Sequence, residues 1–127
     1  MIKNNLIFDL DTVIQDMSNS KSLVRDVFSV IRKRVAQRSP EHIVAVASKK
    51  KASPEREVVM KALSTLGIVC REVDAPDKEI FGIFKGLSEQ KAGHVALLSS
   101  KDVFLPLVFD GLMVERSVKG NFATKRK

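Results

Sequence analysis

Four short, largely apolar runs recur along the chain: Leu6-Ile7-Phe8, Ile43 to Val46, Ile68 to Val73 and Val95 to Leu98. A stretch with helical periodicity stands between each run and the next. No other feature constrains the fold as tightly. Short apolar runs of this kind read as strands buried on both faces, and parallel strands of that kind need helical crossovers to join them. Ser20 or Ser22 can cap a helix reaching about Gln37, with Val24, Val27, Phe28, Ile31 and Val35 on one face. Ser53-Pro54 supplies a hydroxyl cap and a proline at the first helical position, and Val58, Val59, Ala62, Leu63 and Leu66 make the stripe of that helix. Gly67 suits its left-handed stop. A helix over about 77–90 buries Ile80, Phe81, Ile83, Phe84 and Leu87, a short helix follows near 104–109, and Leu112 to Val118 reads as a fifth strand. The expected fold is α/β, a three-layer αβα sandwich around a mainly parallel sheet of about five strands. Residues 1–120 read as one domain and 121–127 as a basic tail.

The 127 residues are 44% hydrophobic and 29% charged, ordinary for a globular chain. No apolar run approaches the ~18 residues needed to span a bilayer, and Met1 to Asn5 does not open a secretory signal. Cys70 is the single cysteine, so an internal disulfide is excluded, and a cytoplasmic or other reducing compartment is the expectation. Lysine and arginine number 22 against 15 aspartates and glutamates, a formal charge of +7. Such an excess favours polyanions, nucleic acid first, because neutralised phosphates release their counterions.

In parallel sheets ligands bind beyond the carboxyl ends of the strands. That rule gathers Asp9 and Asp11, Ser48 to Lys51, Asp74 to Glu79, and Ser99 to Asp102 into one region. Asp9 and Asp11 stand two residues apart, so an extended chain would point both carboxylates to one side. Two such groups repel unless a cation, a donor set or a proton intervenes, and clustered oxygens of this kind hold magnesium or manganese. The competing reading has one carboxylate capping the next turn and the other in solvent.

Phe8-Asp9-Leu10-Asp11-Thr12-Val13 resembles the opening motif of the PIN-like nucleases, especially the NYN branch, which runs apolar-Asp-Gly-Asp-Asn-apolar. Leu98-Ser-Ser-Lys-Asp-Val-Phe-Leu-Pro-Leu-Val108 aligns without gaps on that branch's Leu-Ser-Gly-Asp-Ser-Asp-Phe-Leu-Pro-Leu-Val. Ala62-Leu-Ser-Thr-Leu-Gly-Ile68 through Glu72-Val73 to Asp77-Lys-Glu79 is similar to the related 5′-3′ exonuclease and flap-endonuclease domain. The resemblance spans about 5–115. It implies a PIN-like fold with an acidic pocket that, in active relatives, binds one or two divalent ions for phosphodiester hydrolysis. On that basis Asp9, Asp11, Asp77 and Glu79 match the catalytic acids, and Asp9, Asp11 and Asp102 are the candidate metal ligands. The last motif departs from the family. Lys101 and Val103 occupy its two acidic positions, Asp102 is one residue out of phase, Ser100 replaces a glycine and Thr12 an asparagine.

Exchanging Asp for Lys moves a position by two charge units. An ammonium near Asp9 and Asp11 would repel a divalent ion and could neutralise the pair, whereas the alternative is a lysine pointing into solvent. The resemblance therefore implies a nucleic-acid-binding domain with a degenerate site and no cofactor, RNA being the favoured partner. If activity survives, the reaction is metal-dependent nuclease chemistry with Mg or Mn. The candidate phosphate contacts are Lys49, Lys50 and Lys51, with Lys101, Arg116 and Lys119. Arg25, Arg32, Lys33, Arg34 and Arg38 form a basic helix face, and Lys125, Arg126 and Lys127 a basic end. Trp and Tyr are absent and the seven Phe sit in apolar patterns, which argues for backbone contact over base stacking.

Two rivals remain. Ile7-Phe8-Asp9-Leu10-Asp11-Thr12 also looks like the first motif of haloacid-dehalogenase phosphatases, with Ser48 as a second motif, but Ser99-Ser100-Lys101 does not supply their acidic metal motif. The other rival is a non-catalytic subunit of a larger assembly, held by a protein partner or a second copy of itself. His42 and His94 introduce strands and have no catalytic partner in the sequence.

Overall fold

Each apolar run becomes a strand because its residues can be buried on two sides at once. In a computed structural model, residues 4–18, 21–38, 40–91, 93–118 and 121–125 are described, with the side chains of 38, 109, 110 and those beyond 114 outside the description. The strands are β1 (Asn4–Asp9), β2 (His42–Ser48), β3 (Val69–Val73), β4 (His94–Leu98), β5 (Leu112–Val118) and β6 (Asn121–Lys125). They form one sheet in the order β3-β2-β1-β4-β5-β6. The first five are parallel to their neighbours, and β6 returns antiparallel to β5. The mainly parallel α/β architecture is thus the one the alternation dictates. The stretch 121–125, expected as the start of a basic tail, pairs along β5.

The helices are α1 (Leu10–Asp16), α2 (Leu23–Arg38), α3 (Pro54–Ser64) and α4 (Pro76–Glu89), with single 3-10 stretches at Lys49–Lys51 and Asp102–Asp110. Strand alternation divides the core in two. Leu6, Phe8, Ala45, Ala47, Ala96 and Leu98 face one way and pack with Val13, Val27, Ile31, Val59 and Leu63 of the first three helices. Ile7, Val46, Val95, Leu97, Leu112 and Val114 face the other way, with Ile80 and Phe84 of α4 and Phe104. Phe104 meets Phe81 with ring centroids 5.3 Å apart, within the range of favourable aromatic pairing.

Local signals place the helix ends. The Ser53 hydroxyl accepts the backbone N–H of Arg56 at 3.1 Å, and Gly67 takes φ +79° just beyond α3. Two expectations change. The chain does not stay extended through Asp11: Asp9 ends β1 and Asp11 lies in the first turn of α1. The segment after β4 forms a 3-10 stretch from Asp102, not a helix from 104, and Gly111 (φ +99°) ends it. Among the described residues no helix is long and apolar enough to cross a membrane.

Leu63 is fully buried between α3 and the sheet. Leu63→Ala is expected to lower unfolding free energy by about 2–5 kcal/mol in a urea titration, with the m-value unchanged.

Candidate functional site

β1 lies between β2 and β4, and the chain crosses over it on the way from β3 to β4. The strand order therefore reverses at the β1–β4 boundary, where the loops leaving two neighbouring strands diverge and open a crevice. Asp9, Ser48, Val73 and Leu98 close their strands at this end of the sheet. His42 and His94, exposed, begin their strands at the opposite end, away from the crevice.

The helical turn at Leu10 sends the two opening carboxylates to different neighbours. Asp11 goes toward β2 and α3. Its Oδ2 accepts the backbone N–H of Ser48 at 2.7 Å, and its Oδ1 accepts Arg56 Nη1 at 2.9 Å. The same guanidinium donates to the Ser48 carbonyl at 2.7 Å and, through Nη2, to Glu72 Oε2 at 2.8 Å. Arg56 is 1% exposed and is the largest fully buried side chain among the described residues. A buried guanidinium needs its charge paired and its donors taken, and its fork can serve several acceptors at once. It thereby ties α3 to the start of α1 and to the ends of β2 and β3.

Asp9 stays on the β4 side. Its Oδ2 accepts the Ser99 hydroxyl at 2.7 Å, and Ser99 Oγ in turn accepts the Lys101 backbone N–H at 3.2 Å. Asp9 is 1% exposed and its side chain does not cap α1; Thr12 Oγ1 donates to its carbonyl instead, at 2.9 Å. Burial pushes the Asp9 carboxyl above its ordinary value of 3.8, and nearby Asp77 adds to that push. The Ser99 hydrogen bond and the Lys101 charge pull it back only in part. Lys101 Nζ donates to Asp77 Oδ1 at 2.8 Å. Burial alone would lower the Lys101 amine, but the Asp77 hydrogen bond and the charges of Asp9, Asp77 and Asp11 outweigh it, leaving the amine above its ordinary 10.5. The ammonium form is therefore held throughout the neutral range.

Asp9, Asp77 and Lys101 thus come together, while Asp11 turns to Arg56. Glu79 turns away from the crevice to Arg71, at 2.9 Å, and Asp102 lies at the exposed start of the 3-10 stretch. Ser100 Oγ donates to Asp16 Oδ1 at 3.1 Å, joining the β4 loop to the end of α1. Lys49, Lys50 and Lys51 are all exposed in the 3-10 turn after β2. A cleft of about 290 Å³ lies beside them, lined by Asp11, Ile14, Gln15, Lys51, Ser53 and Arg56. The Arg116 side chain and the whole of Lys119 lie outside the described residues, as do the side chains of Arg38 and Lys125 and all of Arg126 and Lys127.

As they stand, these carboxylates do not fit a divalent ion. Asp11 is engaged on both oxygens by a guanidinium and a backbone N–H, Asp77 holds an ammonium and Asp9 a hydroxyl. Among the described residues no three His, Cys, Asp or Glu side chains converge to hold a metal. Magnesium and manganese need several oxygens on one point, and two fixed cations raise the local potential against them.

Sequence reading did not find Arg56 or Glu72 as members of the site, and it placed Ser99 in the region without a role. Arg56 left one usable signal. It stands three residues before Val59 and seven before Leu63, on the buried stripe of α3, while Val58, assigned to that stripe from sequence, is 52% exposed. Charge at a core position requires a buried acid nearby.

The crevice sits on a fold already seen in nucleases. The T5 protein crystallised with metal ions superposes with a TM-score of 0.68 at 12% identity, over 94% of this chain and 56% of that one. The fold is PIN-like. A mutant of the T5 5′-exonuclease gives 0.67 at 14% identity, over 94% and 52% of the two chains. An aspartate-to-lysine variant of the bacteriophage T5 flap endonuclease, in a pseudo-enzyme–product complex with DNA and metal ions, gives 0.63 at 13%, over 94% and 57%. The chain spans just over half the length of each. No family model and no curated protein matches the sequence.

Two outcomes are expected. Arg56→Ala strands two carboxylates, one of them nearly buried, and should cost about 3–5 kcal/mol in denaturant unfolding, a large share of a typical domain's total. Arg56→Lys should recover only part, since an ammonium cannot reproduce the fork. Because the folded-state value of Asp9 is raised, its contribution is most favourable below pH 3.8 and is lost as pH rises through the folded value. Asp9→Asn should therefore gain stability relative to wild type on going from acid to neutral pH, and a flat difference across that range would refute the assignment.

Proposed function

We propose that this chain is a nucleic-acid-binding PIN-like domain, RNA favoured, that holds the phosphate backbone without metal and does not cleave it. The observation that carries the reading is the Lys101–Asp77 contact of 2.8 Å in the crevice that the motif resemblance makes the counterpart of a metal pocket. Support comes also from the +7 charge and from three exposed lysines, 49–51, beside the crevice. A lysine turn over a cleft of this size suits phosphate and sugar contacts, which position a strand without reading its sequence. In the T5 flap endonuclease, exchanging an aspartate for lysine is compatible with a complex containing DNA and metal ions.

A second reading, a protein-binding subunit, is favoured by one observation. A groove of about 430 Å³ at the far strand ends is lined in part by Ile43, Val44, Val69, Ile83 and Leu87, and Val69 is 60% exposed on the edge strand β3.

The deciding measurement is fluorescence anisotropy and gel analysis with labelled single-stranded and duplex RNA and DNA, in manganese and in chelator. Expected is salt-sensitive retention, equal in both conditions, with the strand intact. Replacing Lys49, Lys50 and Lys51 with alanine should weaken binding and reduce the slope of log affinity against log salt by about 2 for a single strand. Cleavage that needs manganese and vanishes in Asp9→Asn would instead make the chain an enzyme. Absence of retention, with a partner captured at the β3 groove, would favour the second reading.

A further inference from the structure

We infer that Lys101 is a built-in substitute for a divalent cation, and that this one side chain separates the present crevice from a metal-binding one. The inference rests on the proposed reading only in taking the β1–β4 crevice as the counterpart of a metal pocket. The seat is already made of hard oxygen donors. Asp9 is fixed at the end of β1 by the Ser99 hydroxyl on Oδ2, and Asp77 reaches in from the first turn of α4 to within 2.8 Å of the Lys101 amine. The ammonium also interacts with the charges of Asp9 and Asp11. It therefore does electrostatically what an ion would do, with one charge instead of two and with no coordination geometry to satisfy.

The backbone at 101 supports an exchange. Lys101 is extended (φ −81°, ψ 129°), a conformation open to aspartate, and its N–H is held by Ser99 Oγ whatever side chain follows. Its side chain is 36% exposed and that of Asp77 42%, so an ion and its remaining waters have a route in. Arg56 does not compete for this position. Its Nη1 and Nη2 donors go to Asp11, Ser48 and Glu72 on the other side of β1. Lys101→Asp removes a positive charge and adds a third carboxylate, making three oxygen-donor residues from three separate elements. Lys101→Met removes the ammonium and adds no donor.

The test compares wild type, Lys101→Asp, Lys101→Met and Lys101→Asp combined with Asp9→Asn, using the full chain. Calorimetric titration with manganese chloride and thermal unfolding with and without it provide the readouts. Wild type should give no saturable heat. Lys101→Asp should bind one manganese ion at least about tenfold more tightly than Lys101→Met, the difference expected from a third charged ligand. Adding Asp9→Asn should return the titration to baseline. If Lys101→Asp folds only when manganese is present, the inference stands, since the ion then replaces the lost ammonium. Saturable, Asp9-dependent binding by wild type would overturn it. So would folded Lys101→Asp and Lys101→Met proteins that bind manganese no better than wild type, or variants that fail to fold even with the ion. Retention of RNA or DNA by wild type is measured without metal, so the two readings fail independently.

Discussion

A strand buried on both faces can present polar chemistry only where it ends, and β1 is the strand around which this sheet reverses. Its last residue is a nearly fully buried carboxylate, and the next carboxylate enters a helix. Neither could persist there without a positive partner or a donor, because an unpaired buried charge costs several kcal/mol. The other features of the crevice follow from that constraint. Arg56 is drawn into the core of α3 to serve Asp11, and Ser99 with Lys101 closes over Asp9.

The two arrangements differ in kind. Around Arg56 the contacts are buried, forked and shared among the start of α1 and two strand ends, so that half of the site is structural as much as electrostatic. Around Lys101 the pair is about two-fifths exposed and monodentate, and a lysine on a flexible stem holds its position through charge more than geometry. The chain keeps the architecture of these nucleases while meeting its carboxylates with its own cations. The lysine turn after β2 lies on the same side and carries three solvated cations.

Much of the fold was legible before any coordinates, and particular residues show why. Ser53-Pro54 and Gly67 bracket α3 because capping and left-handed stops are local chemistry. Phe104 is buried as the apolar segment after β4 implied. The misreadings lie where local pattern and tertiary demand compete. Val58 reads as part of the buried face of α3, but Arg56 takes the inside and rotates Val58 to solvent. Asp9 and Asp11 read as neighbours on one side of an extended chain, but α1 begins one residue after Asp9. The strand β6 carries no apolar signature that distinguishes it from a basic tail, since an edge strand pairs through its backbone.

The sequence by itself determined the first five strands and the longer helices between them, the parallel sheet and the residues gathered at its carboxyl end, because periodicity, caps and apolar runs are properties of neighbouring residues. It also placed a lysine where the motif it resembles carries an acid. Only the tertiary structure decided which partner meets which carboxylate. Asp11 with Arg56 is a contact across 45 positions and Asp9 with Ser99 one across 90. Such pairings are fixed by strand order and the direction in which each loop leaves its strand, and no local pattern encodes either.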